Sequence, residues 1–504
     1  MNHCIRTRLL LKRFRSQLNR LTRQLCDKVP DSRSSDGVNQ IENNKQEERE
    51  YIPAGGKARS VKDVMMEELK PAFKGQITSI EAPIPRHTDV VILGGGLVGT
   101  AVAYFLTQHS SGMYDVTVIE RDYAYTRASS MLSAGGIRHQ FTIPENVQMS
   151  MFTSEFLKQY KEHLSVYGQD PPEVCFHHQG YLFLAPPDRV EFLESCVDMQ
   201  RKCGAKTVML SKTQLAEKYP WLNLDGIEAG SLGTSGEGWF DPWQLLHSLK
   251  AKNITNNVRY CEGEVVNFTF EEKESATSDG IQMRKKIVGV DVDHKNGKRY
   301  GCGASFFINC AGPWAGEIAR MAEIGAGEKG NELPLPVEPR KRYVYTIHCP
   351  DGPTLDTPFL IDPSGVYFRR EGLGGHYICG ASPTEENEPN INDLCVDYEF
   401  FSDYVWPSLA NRVPAFNNSK LKSAWAGYYD YNVIDQNLVI GPHPYHRNLV
   451  FANGMSGHGV QQALAIGRAI YELVFYSEYQ TIDLSRFHFD RFINDSPLRE
   501  HAIV

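Results

Sequence analysis

No two of the eleven cysteines in this 504-residue chain form a Cys-x-x-Cys pair. Neither an iron–sulfur cluster nor a zinc site is indicated, and no metal is expected. Scattered single cysteines fit a reducing compartment, where they act as small buried hydrophobes. Acidic residues are missing from residues 1–26, which hold seven lysines and arginines. Basic charge is scarce elsewhere, since the remainder carries 46 Lys and Arg against 61 Asp and Glu. Such an acidic body argues against binding a phosphate backbone, so no nucleic-acid partner is expected. Long apolar runs are lacking as well. The stretch Val90–Leu106 is nearly uncharged for 17 residues, at the short limit for a bilayer, and glycines interrupt it. No transmembrane span is expected.

That same stretch carries the chain's most specific signal. The run VVILGGGLVG, Val90 to Gly99, is a β-branched strand pattern that breaks into glycines at GxGxxG spacing: Gly94, Gly96 and Gly99. Gly94 permits the tight turn, Gly96 admits a diphosphate to bare backbone, and Gly99 lets the following helix pack on the strand. A helix N-terminus stabilises the phosphates without lysine. About twenty residues on, DVTVIERD places Glu120 at a strand end, where a carboxylate can hold ribose hydroxyls.

With 41% apolar residues the chain can bury a large core divided between two domains. Leu11, Phe14, Leu18, Leu21 and Leu25 form an apolar stripe among the N-terminal arginines. This is the pattern of a mitochondrial transit peptide over residues 1–26, and also of a basic helix on a membrane surface. Residues 27–84 are polar with little periodicity and read as linker or disorder. Helical patterns follow at Asn146–Tyr167 and Pro187–Gly204, and Asp241 with Pro242 marks another helix start. Val258–Phe270 is strand-like, and the charged stretch Glu271–Lys286 reads as a surface loop. From Pro336 to Gly380 short strands and turns alternate in an antiparallel pattern. The chain closes with a strand, a glycine-rich loop and an amphipathic helix.

Taken together, VVILGGGLVG, Glu120, ASSMLSAGGI, GWFDPW, INCAGPWA and NGMSGHG resemble the D-amino-acid-oxidase-like flavoproteins, over roughly residues 85 to 500. That family includes sarcosine and dimethylglycine dehydrogenases. The resemblance implies an α/β plus α+β fold, in which a Rossmann-like FAD-binding domain is assembled from residues 85–150, 240–330 and 431–504. An antiparallel-sheet substrate domain would comprise 151–239 and 331–430. FAD would lie on Gly94, Gly96, Gly99 and Glu120, with adenine near Val265. The flavin ring would rest among Ser129, Ser130, Gly135, Gly136, Gly312 and the loop carrying Gly454, Ser456, Gly457, Gly459 and Gln461. The runs VEPRKRYVY, YFRREGLG and SAWAGYYDYN resemble more narrowly a mitochondrial branch that assembles respiratory complex I. This implies a matrix or inner-membrane location, peripheral membrane association, and complex I subunits or assembly intermediates as partners.

The family's chemistry removes hydride from the carbon beside an amine. Arg138 stands where sarcosine oxidases carry a substrate-binding arginine, with a structural ion pair as the alternative. Tyr429 and His458 are the other catalytic candidates, and Tyr428 and Arg369 are further candidates for the substrate face; packing and local backbone satisfaction are their alternatives. Ala426 stands where sarcosine oxidases attach flavin through cysteine, and Ser130–Gly136 lacks the histidine of the dimethylglycine branch. Non-covalent FAD is therefore expected. Gln461 and the strand Tyr377–Gly380 lack the lysines of the oxidases, which favours a dehydrogenase over an oxidase. A non-catalytic scaffold with structural FAD is the remaining reading.

Overall fold

The computed structural model describes residues 82–501 apart from 110–111, 171, 278–279 and 328–330. The expected transit segment and nearly all of the expected linker lie outside the described residues. The strand β1 (His87–Leu93) leads through the glycine turn into helix α1 (Leu97–Gln108) and then β2 (Val116–Glu120). Both strands pair in parallel, Ile92 opposite Val118. Their apolar runs are continuous because helices and further strands cover both faces. The strand Arg299–Asn309 joins the other side of β1, and Leu449–Asn453 lies beside it in parallel. Arg259–Glu262 completes the far edge next to β2. Segments more than 300 residues apart thus form one sheet.

The terminal helix Gly459–Tyr476 packs against α1 across a close crossing: a Cβ on Gly467 would stand 2.7 Å from the Ala101 backbone. Helix Pro144–Lys158 also packs on this unit, with Met149, Phe156 and Leu157 in its core. The expected boundary at residue 150 therefore falls inside a helix that belongs to the nucleotide-binding side. The helical pattern Asn146–Tyr167 resolves into Pro144–Lys158 and Tyr160–Leu164, broken at Gln159.

A second sheet is built from Tyr181–Ala185, Thr207–Ser211, Ala229–Gly233 and five strands between Val337 and Asn432. It is antiparallel except where Phe359–Ile361 runs parallel to Tyr181–Ala185. That pair joins segments separated by a large part of the other unit, which supplies the long crossover that parallel strands need. The charged stretch Glu271–Lys286 is not a loop. Strands Glu264–Thr277 and Gly280–Asp293 pair as a long hairpin, and its register sets Lys285 opposite Glu272 and Lys286 opposite Glu271. Opposite charges face each other at these two positions, and Lys285 also reaches Glu323 at 2.6 Å, in a ribbon that apolar alternation does not reveal. Among the described residues no helix is long and apolar enough to cross a membrane.

Candidate cofactor and substrate site

The glycine turn sits where β1 ends. Gly94 has φ +103°, and a Cβ there would stand 2.5 Å from the Cys310 carbonyl. A Cβ on Gly99 would stand 2.0 Å from the Gly94 carbonyl, so α1 lies directly on the turn. At Gly96 an added Cβ meets nothing within 4 Å, because this backbone faces a cavity of about 630 Å³. Glu120 is fixed by its neighbours: Oε2 accepts from Gly95 N at 2.8 Å and Oε1 from Asp122 N at 3.0 Å. Burial pushes its carboxyl up, and these two hydrogen bonds pull against that.

Along the same cavity lie Val265 and Gly312, then Ser129 and Ser130, then Gly457 and Gly459 at the start of the terminal helix. Ser129 Oγ is buried without a hydrogen-bond partner. Gly312 has φ +55° and open space beyond its Cα. Gly135, with φ +70°, holds the approach of the Phe240 carbonyl, and Gly136 pairs with Trp239. These two shape the wall from behind. Gly454 and Ser456 turn the C-terminal loop, where Ser456 Oγ accepts from Asn432 N at 3.0 Å. Gln461 points away from the cavity and accepts from Arg138 N at 2.9 Å and Ser150 Oγ at 3.0 Å.

The three catalytic candidates meet. His458 Nε2 stands 3.1 Å from Arg138 Nη2, and the Tyr429 ring lies on Gly457, where a Cβ would come within 2.7 Å. Tyr429 lines the cavity; Arg138 and His458 stand behind its wall. Burial, then the Arg138 charge, pushes His458 well below the usual imidazole range. Close enough to Tyr429 to feel its charge, Tyr181 and Tyr367 belong to a buried aromatic cluster with Trp239 and Phe359. Tyr181 stacks on Phe359 at 4.4 Å, Tyr367 stands 5.6 Å from Phe359, and Gly136 leaves room for the Tyr181 hydroxyl. The Arg369 guanidinium lies 5.4 Å over Trp239, donates to Ala134 O at 2.8 Å and pairs with Glu371. Tyr428 faces elsewhere, its hydroxyl donating to Ile391 O at 2.8 Å.

Several site residues were not singled out in the sequence, although Asp430 and Arg121 stand inside the runs SAWAGYYDYN and DVTVIERD. Asp430 lines the cavity and accepts from Met455 N at 3.1 Å, and burial pushes its carboxyl up to about 6. Glu237 is enclosed against Gly233, accepts from Gln140 Nε2 at 3.0 Å, and is pushed up to about 8 by burial. Arg121, just after Glu120, covers Trp314 at 3.8 Å on the cavity wall. The His443-x-x-His446 spacing fits a metal pair, yet among the described residues no third ligand joins it. No sequence signal marks Glu237 beyond its place in the GEGW turn.

An open diphosphate cradle at Gly96, a fixed carboxylate at Glu120 and an unpartnered Ser129 hydroxyl along one elongated cavity fit a flavin dinucleotide. The fold and site are those of the FAD-dependent oxidoreductases: the model of that family matches residues 89–473, and the chain belongs to it. FAD is its cofactor. More particularly, the chain is similar to FAD-dependent oxidoreductase domain-containing protein 1 of Xenopus laevis, 48% identical over 426 residues covering 83% of this chain and 85% of the relative. Among solved structures, L-proline dehydrogenase from P. horikoshii is 25% identical with a TM-score of 0.69, covering 82% of this chain and all of that one. Glycine oxidase from Geobacillus kaustophilus, 21% identical with a TM-score of 0.63 over 80% of this chain and 98% of its own, shares the fold.

Proposed function

We propose that this protein is an FAD-dependent dehydrogenase for a small carboxylate-bearing amine, working in the mitochondrial matrix or at its inner membrane in the assembly of respiratory complex I. The observation that carries the catalytic part is the aromatic box of Tyr181, Trp239, Phe359 and Tyr367 with Arg369 beside it. Ring faces hold a cationic nitrogen, and a guanidinium holds a carboxylate. Burial keeps the Tyr181 and Tyr367 phenols protonated, so each can donate a hydrogen bond to an anion. FAD, when bound, accepts the hydride.

The location is supported by the basic N-terminal stripe, and the assembly role by the runs VEPRKRYVY, YFRREGLG and SAWAGYYDYN. Anaerobic mixing of the holoprotein with sarcosine, dimethylglycine or L-proline tests the catalytic part. Loss of the flavin's visible colour with one of them is expected; a flavin that stays yellow with all three, and with related amino acids, overturns it in favour of structural FAD. Cells lacking the protein should accumulate complex I assembly intermediates on native gels, relieved by re-expression. A normal complex I pattern would overturn the assembly role.

A further inference from the structure

Arg138 enters as a candidate anchor for a substrate carboxylate, but its surroundings give it another task. Its guanidinium is buried 4.4 Å from the Phe141 ring and 5.1 Å from the Phe183 ring, behind the wall of the cavity. Nη1 donates to the Gln140 carbonyl and Nη2 meets His458 Nε2 at 3.1 Å. A guanidinium has donors and no acceptor, so the imidazole nitrogen must accept. That fixes His458 as the neutral ring with its proton on Nδ1, while its main-chain N–H bonds the Met455 carbonyl at 3.0 Å. His458 immediately precedes the helix that starts at Gly459, and the Arg138 main-chain N–H holds Gln461 inside that helix's first turn. One residue therefore grips both sides of the loop–helix junction, one by its side chain and the other by its backbone.

We propose that Arg138 is a positioning residue that acts through His458 to hold the Gly454–Gly459 loop and the following helix start against the flavin, rather than a group that binds substrate. The turn itself is strained, and so depends on the contacts that hold it: Gly457 has φ +97°, and Ser456, at φ +49°, adopts a conformation side chains rarely take. A buried cation behind the helix start adds to the positive end of the helix dipole and favours the reduced flavin.

The test is a double-mutant cycle, R138M with H458N, read by titrating apoprotein with FAD and by the flavin midpoint potential. Each single variant is expected to weaken FAD about tenfold, and the double variant no more than the worse single one, because the two act as a unit. R138M should also disfavour the reduced flavin about tenfold, ~30 mV for a two-electron couple, and R138K should recover most of that shift. Additive losses in the double variant would overturn the proposal. So would an R138M protein with normal FAD affinity and potential that has lost only the spectral change produced by acetate, since that describes a carboxylate anchor. If R138M does not fold, R138Q, which removes the charge but keeps a polar side chain, completes the same cycle with H458N, with the same non-additivity expected and the same additivity overturning it.

Discussion

The two glycine-rich turns of the cofactor cavity are built by opposite means. At Gly94–Gly99 the backbone does nearly everything: the turn, the helix start and the open cradle come from six consecutive residues, with the Glu120 carboxylate and the Thr100 hydroxyl tying the turn at Gly95. At Gly454–Gly459 the loop is tied to distant segments through side chains: Asp430 accepts from Met455 N, the loop's own Ser456 hydroxyl accepts from Asn432 N, and Arg138 meets the His458 ring. The first turn presents a fixed electrostatic shape to phosphates. The second is a polar network whose charges and protons are adjustable. Diphosphate binding needs only geometry, whereas a redox-active ring responds to every nearby charge, so the adjustable turn is the one suited to the ring.

Four changes would break or sharpen this contrast. The largest effect is expected from Gly99→Val, whose Cβ would sit 2.0 Å from the Gly94 carbonyl; no folded protein should be recovered, and a soluble holoprotein on gel filtration would contradict the account. Gly96→Val comes next. Gly96 has φ −65° and its Cβ meets nothing, so the apoprotein should melt normally while FAD affinity falls at least about 100-fold, roughly 2.7 kcal/mol, by fluorescence titration.

At the ring end, Glu237→Gln addresses the network through pH. The folded carboxyl titrates at about 8 against 4.5 unfolded. A raised carboxylate pKa means the folded state binds the extra proton, so this stability is complete below about 4.5 and lost as pH rises through about 8. Thermal melts of the wild type should decline across that window, and those of the glutamine variant should decline less. Identical slopes would show that Glu237 does not govern them. The smallest effect is expected for Ser456→Ala, which removes one acceptor from a shared network. A loss of about 1 kcal/mol and a melting point lower by a few degrees are expected; a collapse of FAD binding would show that the loop hangs on that hydroxyl.

How legible each end is in the sequence follows from the same contrast. Gly94, Gly96, Gly99 and Glu120 stand at fixed spacings because one strand, one turn and one helix dictate them, and the family's other motifs mark the strands that flank them. Asp430 and Glu237 carry no such spacing. Their roles come from burial and from partners 25 and 97 residues away, Met455 and Gln140, which only the folded chain brings together. The hairpin over Glu271–Lys286 was hidden for a related reason: the stretch has no apolar period, and its strands are defined by pairing across the hairpin. Arg138 and His458 were visible as candidates, but their contact across 320 residues was not.

The chain's two halves also meet at the sheet, where β1 lies beside a strand made from residues 299–309, and that strand beside one made from 449–453. During synthesis the diphosphate turn leaves the ribosome hundreds of residues before the loop that completes its cavity. No nascent chain shorter than about residue 460 can complete the cavity, so enclosure of the cofactor waits for that late loop, and the half-built nucleotide sheet must be kept from aggregating until then.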